Sequence, residues 1–294
     1  MRALLTGSTG RLGGAFLSLW GDKEQAAGYD LQVVTRQDCD LSRPDDVRRF
    51  LRSVDFDVLV NPAAMTGIEQ CLDAPGLAQA VNAESPRVMA EVCREKGARL
   101  VHFSTDYVFS GESAGRKAEG DPVGAVNVYG ATKLAGERAV IDTSAGALVC
   151  RVSWLFGPTA PDRLSHLDHV LERALAGEIQ HLIADKYSVP TFTHDIVEWV
   201  DVLLAANASG VYHLCNAGEP ESWLSYAQKV CALAQRLGRN LGDVRLCGTS
   251  LEDAGFFREK RPIHTAMLPA RLQSEDLAHP RHWLEAAEVY LKIR

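Results

Sequence analysis

Residues 6–13 read Thr6-Gly7-Ser8-Thr9-Gly10-Arg11-Leu12-Gly13 and follow directly on the run Arg2-Ala3-Leu4-Leu5. Glycine at every third position lets the backbone turn tightly, lets a pyrophosphate approach the main chain, and lets the next helix pack closely. A glycine triplet alone is weak evidence. Here it stands between a strand and a helix at the start of a repeating strand–helix rhythm, the setting of a dinucleotide-binding βαβ unit. Gly7, Thr9, Gly10, Arg11, Leu12 and Gly13 are therefore expected against a dinucleotide.

Outward from this loop, short leucine-rich or β-branched runs at 2–6, 31–35, 58–61, 100–104 and 148–152 alternate with segments of helical spacing at 86–96 and 129–141. Ser42-Arg43-Pro44-Asp45 reads as a helix start, with a capping hydroxyl, an early proline and an acid in the first turn. Right-handed crossovers then give an α/β, Rossmann-like doubly wound parallel sheet. After Pro158 the rhythm changes to a polar loop, helices at 164–176 and 195–206, a strand at 211–214 and a helix from Trp223, a smaller mixed α/β lobe. The expected division is a Rossmann domain over 1–157 and a mainly substrate-binding lobe over 158–294, with some later segments returning to the first domain. The loop-like stretch 111–124 is placed to cover a site.

The 294 residues are 46% apolar and 23% charged, which excludes disorder, collagen and coiled coil. A formal charge of −7 leaves no positive field for a polyanion, so neither nucleic acid nor a membrane surface is an expected partner. Apolar runs are short and the glycine turn comes before any signal-peptide core, so a cytoplasmic protein is expected. The seven cysteines are scattered without a Cys-x-x-Cys pair, and His166 and His169 lack a third ligand at a recognisable spacing; no metal is assigned.

Arg36 stands at the end of the second strand, where an acid would hold the ribose hydroxyls of NAD and an arginine would pair with the 2′-phosphate of NADP. Asp30 lies at the wrong end of that strand, and Asp38 is the competing acid. With Arg11 as a second cation, NADPH is the expected cofactor and NADH the alternative. Tyr129-Gly130-Ala131-Thr132-Lys133 puts a phenol and an ammonium on one helix face. The preceding strand ends in Ser104-Thr105-Asp106-Tyr107, at the sheet edge where ligands of open α/β folds bind. A nearby ammonium is expected to draw the phenol from its ordinary pKa near 10 toward neutrality. Tyr129 then serves as general acid, Lys133 also holds the nicotinamide ribose, and Thr105 donates to a substrate carbonyl.

At this point the chain resembles the extended short-chain dehydrogenase/reductases, and within them the dTDP-4-dehydrorhamnose reductase family. The resemblance runs from the glycine loop through Asp40-Leu41-Ser42, Asn61-Pro62-Ala63-Ala64, Ser104-Thr105-Asp106-Tyr107-Val108-Phe109 and Tyr129 to Glu137, then Arg151-Val152-Ser153-Trp154-Leu155-Phe156-Gly157. It continues through Val189-Pro190-Thr191-Phe192-Thr193, Gly210-Val211-Tyr212-His213-Leu214, Gly218-Glu219-Pro220-Glu221-Ser222-Trp223 and Lys260-Arg261-Pro262. It implies NADPH-dependent reduction of the 4-keto group of a nucleotide-linked 6-deoxysugar, dTDP-4-dehydrorhamnose to dTDP-L-rhamnose, with Thr105, Tyr129 and Lys133 at the catalytic positions. It also implies adenine-side contacts at Asp40 and Leu41, cofactor-wall contacts at Ala63 and Ala64, and sugar contacts at Thr66, Tyr107, Trp154 and Arg261.

Three departures bear on which sugar and which nucleotide are taken. Asn61-Pro62 stands where the family usually has Asn-Ala, Tyr187-Ser188-Val189-Pro190 replaces Tyr-Gly-Ser-Pro, and 159–169 lacks the usual Asn-Phe. The glutamates of the family's magnesium-bridged dimer are not carried over, because this chain has Ala15 and Phe16 in the first helix; a homodimer is left open. Two alternatives stand beside the reductase: a reductase or epimerase for another nucleotide sugar, and a non-catalytic NADP-binding regulatory subunit, since the β subunit of methionine adenosyltransferase resembles the same family. Thr105, Tyr129, Lys133 and Trp154 together exceed what a binding module needs, which favours catalysis.

Overall fold

Leu4, Leu5, Val58, Leu59, Val60 and Val101 expose no surface, as parallel strands between two layers of helix require. The computed structural model describes residues 1–21, 28–158 and 164–294. Its first half runs β1 (Arg2–Thr6), α1 (Arg11–Gly21), β2 (Asp30–Val34), α2 (Pro44–Ser53), β3 (Val58–Asn61), α3 (Ile68–Asp73), α4 (Pro75–Gln79), a π-helical stretch (Ala80–Glu84), α5 (Ser85–Lys96), β4 (Arg99–Thr105), α6 (Val128–Thr143) and β5 (Leu148–Val152). Then follow β6 (Leu155–Phe156), α7 (His166–Leu175), β7 (Ile179–Ile183), β8 (Tyr187–Ser188), β9 (Thr191–Phe192), α8 (Thr193–Ala205) and β10 (Gly210–His213). The chain ends with β11 (Glu221–Ser222), α9 (Trp223–Arg236), β12 (Arg245–Thr249), α10 (Ala270–Ser274) and α11 (Trp283–Ile293).

The main sheet has the order β10-β5-β4-β3-β1-β2 and every pair in it is parallel, the doubly wound sheet expected from the alternation of runs. Strand progression reverses between β1 and β3, the point where the ligand crevice of such sheets opens. Helices cover both faces. On one, Phe16 and Trp20 of α1 pack with Ile196, Val200 and Leu203 of α8; on the other, Val47 of α2 and Met89 and Val92 of α5 pack on Leu4, Leu59 and Val149. A separate core of Val170, Leu171, Tyr226, Val230, Trp283 and Tyr290 joins α7, α9 and α11 in the smaller lobe. Both α8 and Leu272 of α10 lie in the first body although they follow residue 158, and β10 extends its sheet beside β5.

Two local readings need correction. Ser42 does not cap α2: the capping position is Arg43, with no side-chain bond, while the Ser42 amide donates to the Asp40 carboxylate at 2.9 Å. Pro44, Asp45 and Asp46 carry the start of that helix instead. Residues 111–124 do not cover a site. The Lys117 amide donates to the Ala266 carbonyl at 2.8 Å, the Glu119 carboxylate accepts from the amides of His213 and Arg271, and none of the stretch lines the main cavity. It is a strap between the sheet end and the C-terminal part. Among the described residues no helix is long and apolar enough to cross a membrane.

Candidate active site

A cavity of about 1050 Å³ opens at the carboxyl ends of β1, β3, β4 and β5, at the upper end of the range for small-molecule sites. One side is the glycine loop, and Gly7, Thr9, Gly10, Arg11, Leu12 and Gly13 all line it. Gly7 has φ +61°, and a Cβ there would meet the Ala63 nitrogen at 2.8 Å. A Cβ on Gly13 would lie 2.0 Å from the Gly7 carbonyl oxygen. Only glycine permits this turn, which brings the N-terminus of α1 and its positive dipole end to the cavity.

The opposite wall is the segment after β3, where Ala63, Ala64 and Thr66 line the cavity. Asn82, buried in the π-helical stretch, fixes it: the Met65 amide donates to Asn82 Oδ1 at 2.9 Å, and Asn82 Nδ2 donates to the Met65 carbonyl at 3.0 Å and to Thr132 Oγ1 at 3.1 Å. A π-helical insert at a functional site is a recurrent device. Its register comes from tertiary packing, and no sequence signal pointed to Asn82.

Arg36, Asp40 and Leu41 line the end beyond β2. The Arg36 side chain is 80% exposed and only loosely held, 3.5 Å from Asp40, so it can swing onto a phosphate. The competing acid is committed elsewhere. Asp38 accepts from the Thr35 amide at 2.9 Å and the Thr35 hydroxyl at 2.6 Å, bonds that hold its carboxyl below the ordinary range. Arg11, expected beside the same phosphate, lines the cavity and is half-buried, and Asp168, Tyr290 and Tyr226 of the second lobe act on its charge. The glycine cradle, the dipole end of α1 and the exposed guanidinium of Arg36 fit a dinucleotide carrying a 2′-phosphate.

The edge that carries the three expected catalytic residues is built by α6 and β4. Asn127 caps α6, its side chain accepting from the Gly130 amide at 2.8 Å, and its Nδ2 donates to the Lys260 carbonyl at 2.9 Å. Tyr129 and Lys133 then face the cavity that Thr105 enters from the end of β4. The expected pairing of phenol and ammonium is not what the structure contains. Lys133 Nζ donates to the Phe103 carbonyl at 2.5 Å, and burial pushes its pKa down to about 8. Burial raises the Tyr129 phenol above its ordinary value, with Thr105 pulling the other way. Desolvation dominates at the phenol, while the ammonium is engaged by the backbone. The phenol therefore stays protonated at neutral pH. Thr105 likewise directs its proton away from the cavity, its hydroxyl donating to Asp106 Oδ1 at 3.1 Å and accepting from the Tyr107 amide at 3.2 Å.

At the far end Tyr107, Trp154 and Trp223 form an aromatic wall. The Tyr107 ring lies 5.6 Å from that of Tyr129, and Trp154 lies 6.3 Å from Trp223. Trp154 is held at φ +42°, strain of the kind that gathers at ligand sites. Arg261 does not line the cavity. It binds both oxygens of Glu69, at 2.6 and 2.8 Å, and stacks on Phe257, so the cation expected at the sugar end is neutralised by a carboxylate that a sequence pattern does not pair with it. Of the three departures, Pro62 lines the cavity, Ser188 donates to Asp106 at 3.2 Å, and the part of the third at 159–163 lies outside the described residues.

Because the groups able to handle a proton face the same cavity as the dinucleotide cradle, fold and site together define a short-chain dehydrogenase/reductase of the extended kind, with the second lobe walling the substrate end. Comparison with known proteins narrows this. The family model described as the RmlD substrate binding domain matches residues 1–293. A dTDP-4-dehydrorhamnose reductase of Mycolicibacterium smegmatis is 32% identical, over 98% of this chain and 84% of its own. A probable dTDP-4,6-dihydroxy-2-methyloxan-3-one 4-ketoreductase of Streptomyces antibioticus is 32% identical over 97% of this chain and 93% of its own. The crystal structure of dTDP-4-dehydrorhamnose reductase from Bacillus anthracis in complex with NADP superposes with a TM-score of 0.89 at 25% identity, covering 100% of this chain and 99% of that one. The chain belongs to the dTDP-4-dehydrorhamnose reductase family.

Proposed function

We propose that this protein reduces the 4-keto group of a dTDP-linked 6-deoxysugar, dTDP-4-dehydrorhamnose, with NADPH as reductant. The observation that carries the reading is the Tyr129 phenol, with Lys133 one turn along the same helix, on the wall of a cavity continuous with the glycine cradle. The glycine loop would take the pyrophosphate, Arg36 the 2′-phosphate, and Lys133 the nicotinamide ribose. Bound NADPH supplies hydride to the keto carbon. Tyr129 holds its proton at the phenol oxygen for the carbonyl oxygen, which needs it as negative charge develops there. For Thr105 to donate to that same oxygen, its hydroxyl exchanges Asp106 for the substrate. Tyr107, Trp154 and Trp223 offer ring faces to the sugar and exclude water around it. We place the reaction in the cytoplasm, in keeping with seven free cysteines, six of them buried.

The test is turnover of dTDP-4-dehydrorhamnose followed by loss of reduced-nicotinamide absorbance, with the product identified. Wild type should prefer NADPH to NADH. Tyr129→Phe should lose about 10²- to 10⁴-fold in kcat while NADPH binding is spared. Turnover unchanged by that substitution would remove the phenol from the mechanism. Ser188 and Pro62 at the sugar end, together with the name of the Streptomyces relative, favour a second reading in which the keto sugar is a different dTDP-linked one. Inert dTDP-4-dehydrorhamnose with intact NADPH binding would select it.

A further inference from the structure

Lys186, between β7 and β8, exposes no surface. Among the described residues its ammonium has no hydrogen-bond partner. It lies 5.0 Å from the ring centre of Tyr107 and 5.6 Å from that of Trp154. An ammonium buried without an acceptor is costly, and two π faces compensate only part of that cost. The charge of Asp106 favours the protonated lysine and offsets a further part, although burial still leaves the lysine's pKa below its ordinary value. Asp106 is itself 3% exposed and receives three hydroxyl protons, from Thr105 at 3.1 Å, Ser188 at 3.2 Å and Thr265 at 2.5 Å. A carboxylate only accepts, so all three can point at it; a protonated acid would turn donor and break the set. Other titratable groups surround the pair. Tyr129 and Cys215 both feel the charge of Asp106, Tyr107 adjoins it, and Arg261 opposes the charge on Lys186 but is engaged by Glu69. Burial pushes the Asp106 carboxyl up, and the charge of Lys186, followed by the three hydroxyls, pulls it back toward the carboxylate.

We propose that Lys186 is a positioning residue: its buried ammonium keeps Asp106 a carboxylate, and that carboxylate holds the Thr105 hydroxyl beside the Tyr129 phenol. The kinetic arm of the test rests on the reductase reading, whereas the spectroscopic arm does not. In Lys186→Met at pH 7, infrared spectra should gain the C=O stretch of a protonated carboxyl, absent from wild type and from the Lys186→Met/Asp106→Asn double variant. The kcat of Lys186→Met should fall about tenfold with the NADPH KM within about twofold, and the double variant should be no slower than Asp106→Asn alone, because the lysine acts through that carboxylate. Lys186→Arg, which keeps the charge, should show no new band and lose less than about threefold in kcat. A missing band in folded Lys186→Met, losses that multiply in the double variant, or a new band in Lys186→Arg would each overturn the proposal. If wild type fails to reduce the keto sugar, the reductase reading falls while the band still decides the role of Lys186.

Discussion

The Lys133 ammonium is 2% exposed and 2.5 Å from the Phe103 carbonyl, and desolvation lowers its pKa from 10.5 to about 8. The unfolded chain keeps that proton up to its ordinary pKa, whereas the folded chain releases it from about 8 upward. Folding is therefore penalised below pH 8, by roughly 3 kcal/mol at about 1.4 kcal/mol per unit, and the penalty fades as pH rises toward 10.5. Lys133→Met should remove it at the cost of about 1 kcal/mol for the carbonyl left without its donor. The variant should melt several degrees above wild type at pH 7, and the gap should close as pH rises above 8; turnover should collapse. Calorimetry across that pH range checks this, and a melting temperature at or below wild type at pH 7 would contradict it. The Tyr129–Lys133 pair was legible because helical spacing alone puts the two on one face. Their partners were not. Phe103 lies 30 residues from Lys133 and Glu69 lies 192 from Arg261, so only the folded sheet decides that the carbonyl and the carboxylate, rather than phenol and substrate, receive those cations.

At the scale of elements, the junction of β1 with α1 is the best place to test the cradle, because neighbouring glycines differ in what surrounds them. A Cβ on Gly13 would sit 2.0 Å from the Gly7 carbonyl oxygen and 2.6 Å from its carbon, both backbone atoms, whereas one on Gly14 would meet the Ser8 oxygen at an ordinary 3.7 Å. Gly13→Ala must displace the loop, and its NADPH affinity should fall at least about tenfold, while Gly14→Ala should bind as wild type and gain up to about 1 kcal/mol in helix propensity. Fluorescence titration with NADPH and thermal melts separate the two, and equal affinities would mean that the loop does not shape the site. The glycine spacing, the parallel strands and the helix carrying Tyr129 could all be read beforehand, since each rests on local pattern. The π-helical stretch around Asn82, the positive φ of Trp154 and the absent Ser42 cap could not. At Asn82 tertiary contacts override local preference, because its side chain bonds the Met65 segment and Thr132.

Across the whole molecule the chain passes repeatedly between two bodies. Leu155 packs on the first core and Phe156 lies in the second; α8 and β10 return to the first, α9 goes to the second, Leu272 of α10 comes back, and α11 closes the second. The returns are fastened by buried charge. Asp195 of α8, 2% exposed, accepts from Arg281 Nε at 3.0 Å and from Asn216 at 2.6 Å, linking the start of α8 to the segments after β10 and before α11. A fragment of residues 1–157 would lack the α8 residues that cover Phe16 and Trp20, and β10 along the open edge of β5. It should populate a compact state without fixed side-chain packing, retaining far-UV but losing near-UV circular dichroism. The full chain should melt in one transition, because the first core is completed only by α8, β10 and Leu272, which alternate along the chain with the segments of the second. Asp195→Ala, which strips the partner from a part-buried arginine, should cost about 3 kcal/mol and move that single transition down by about 6 °C. Two resolved transitions in calorimetry, or a cooperative melt of 1–157 alone, would show instead that the dinucleotide half folds by itself and that the later returns only decorate it.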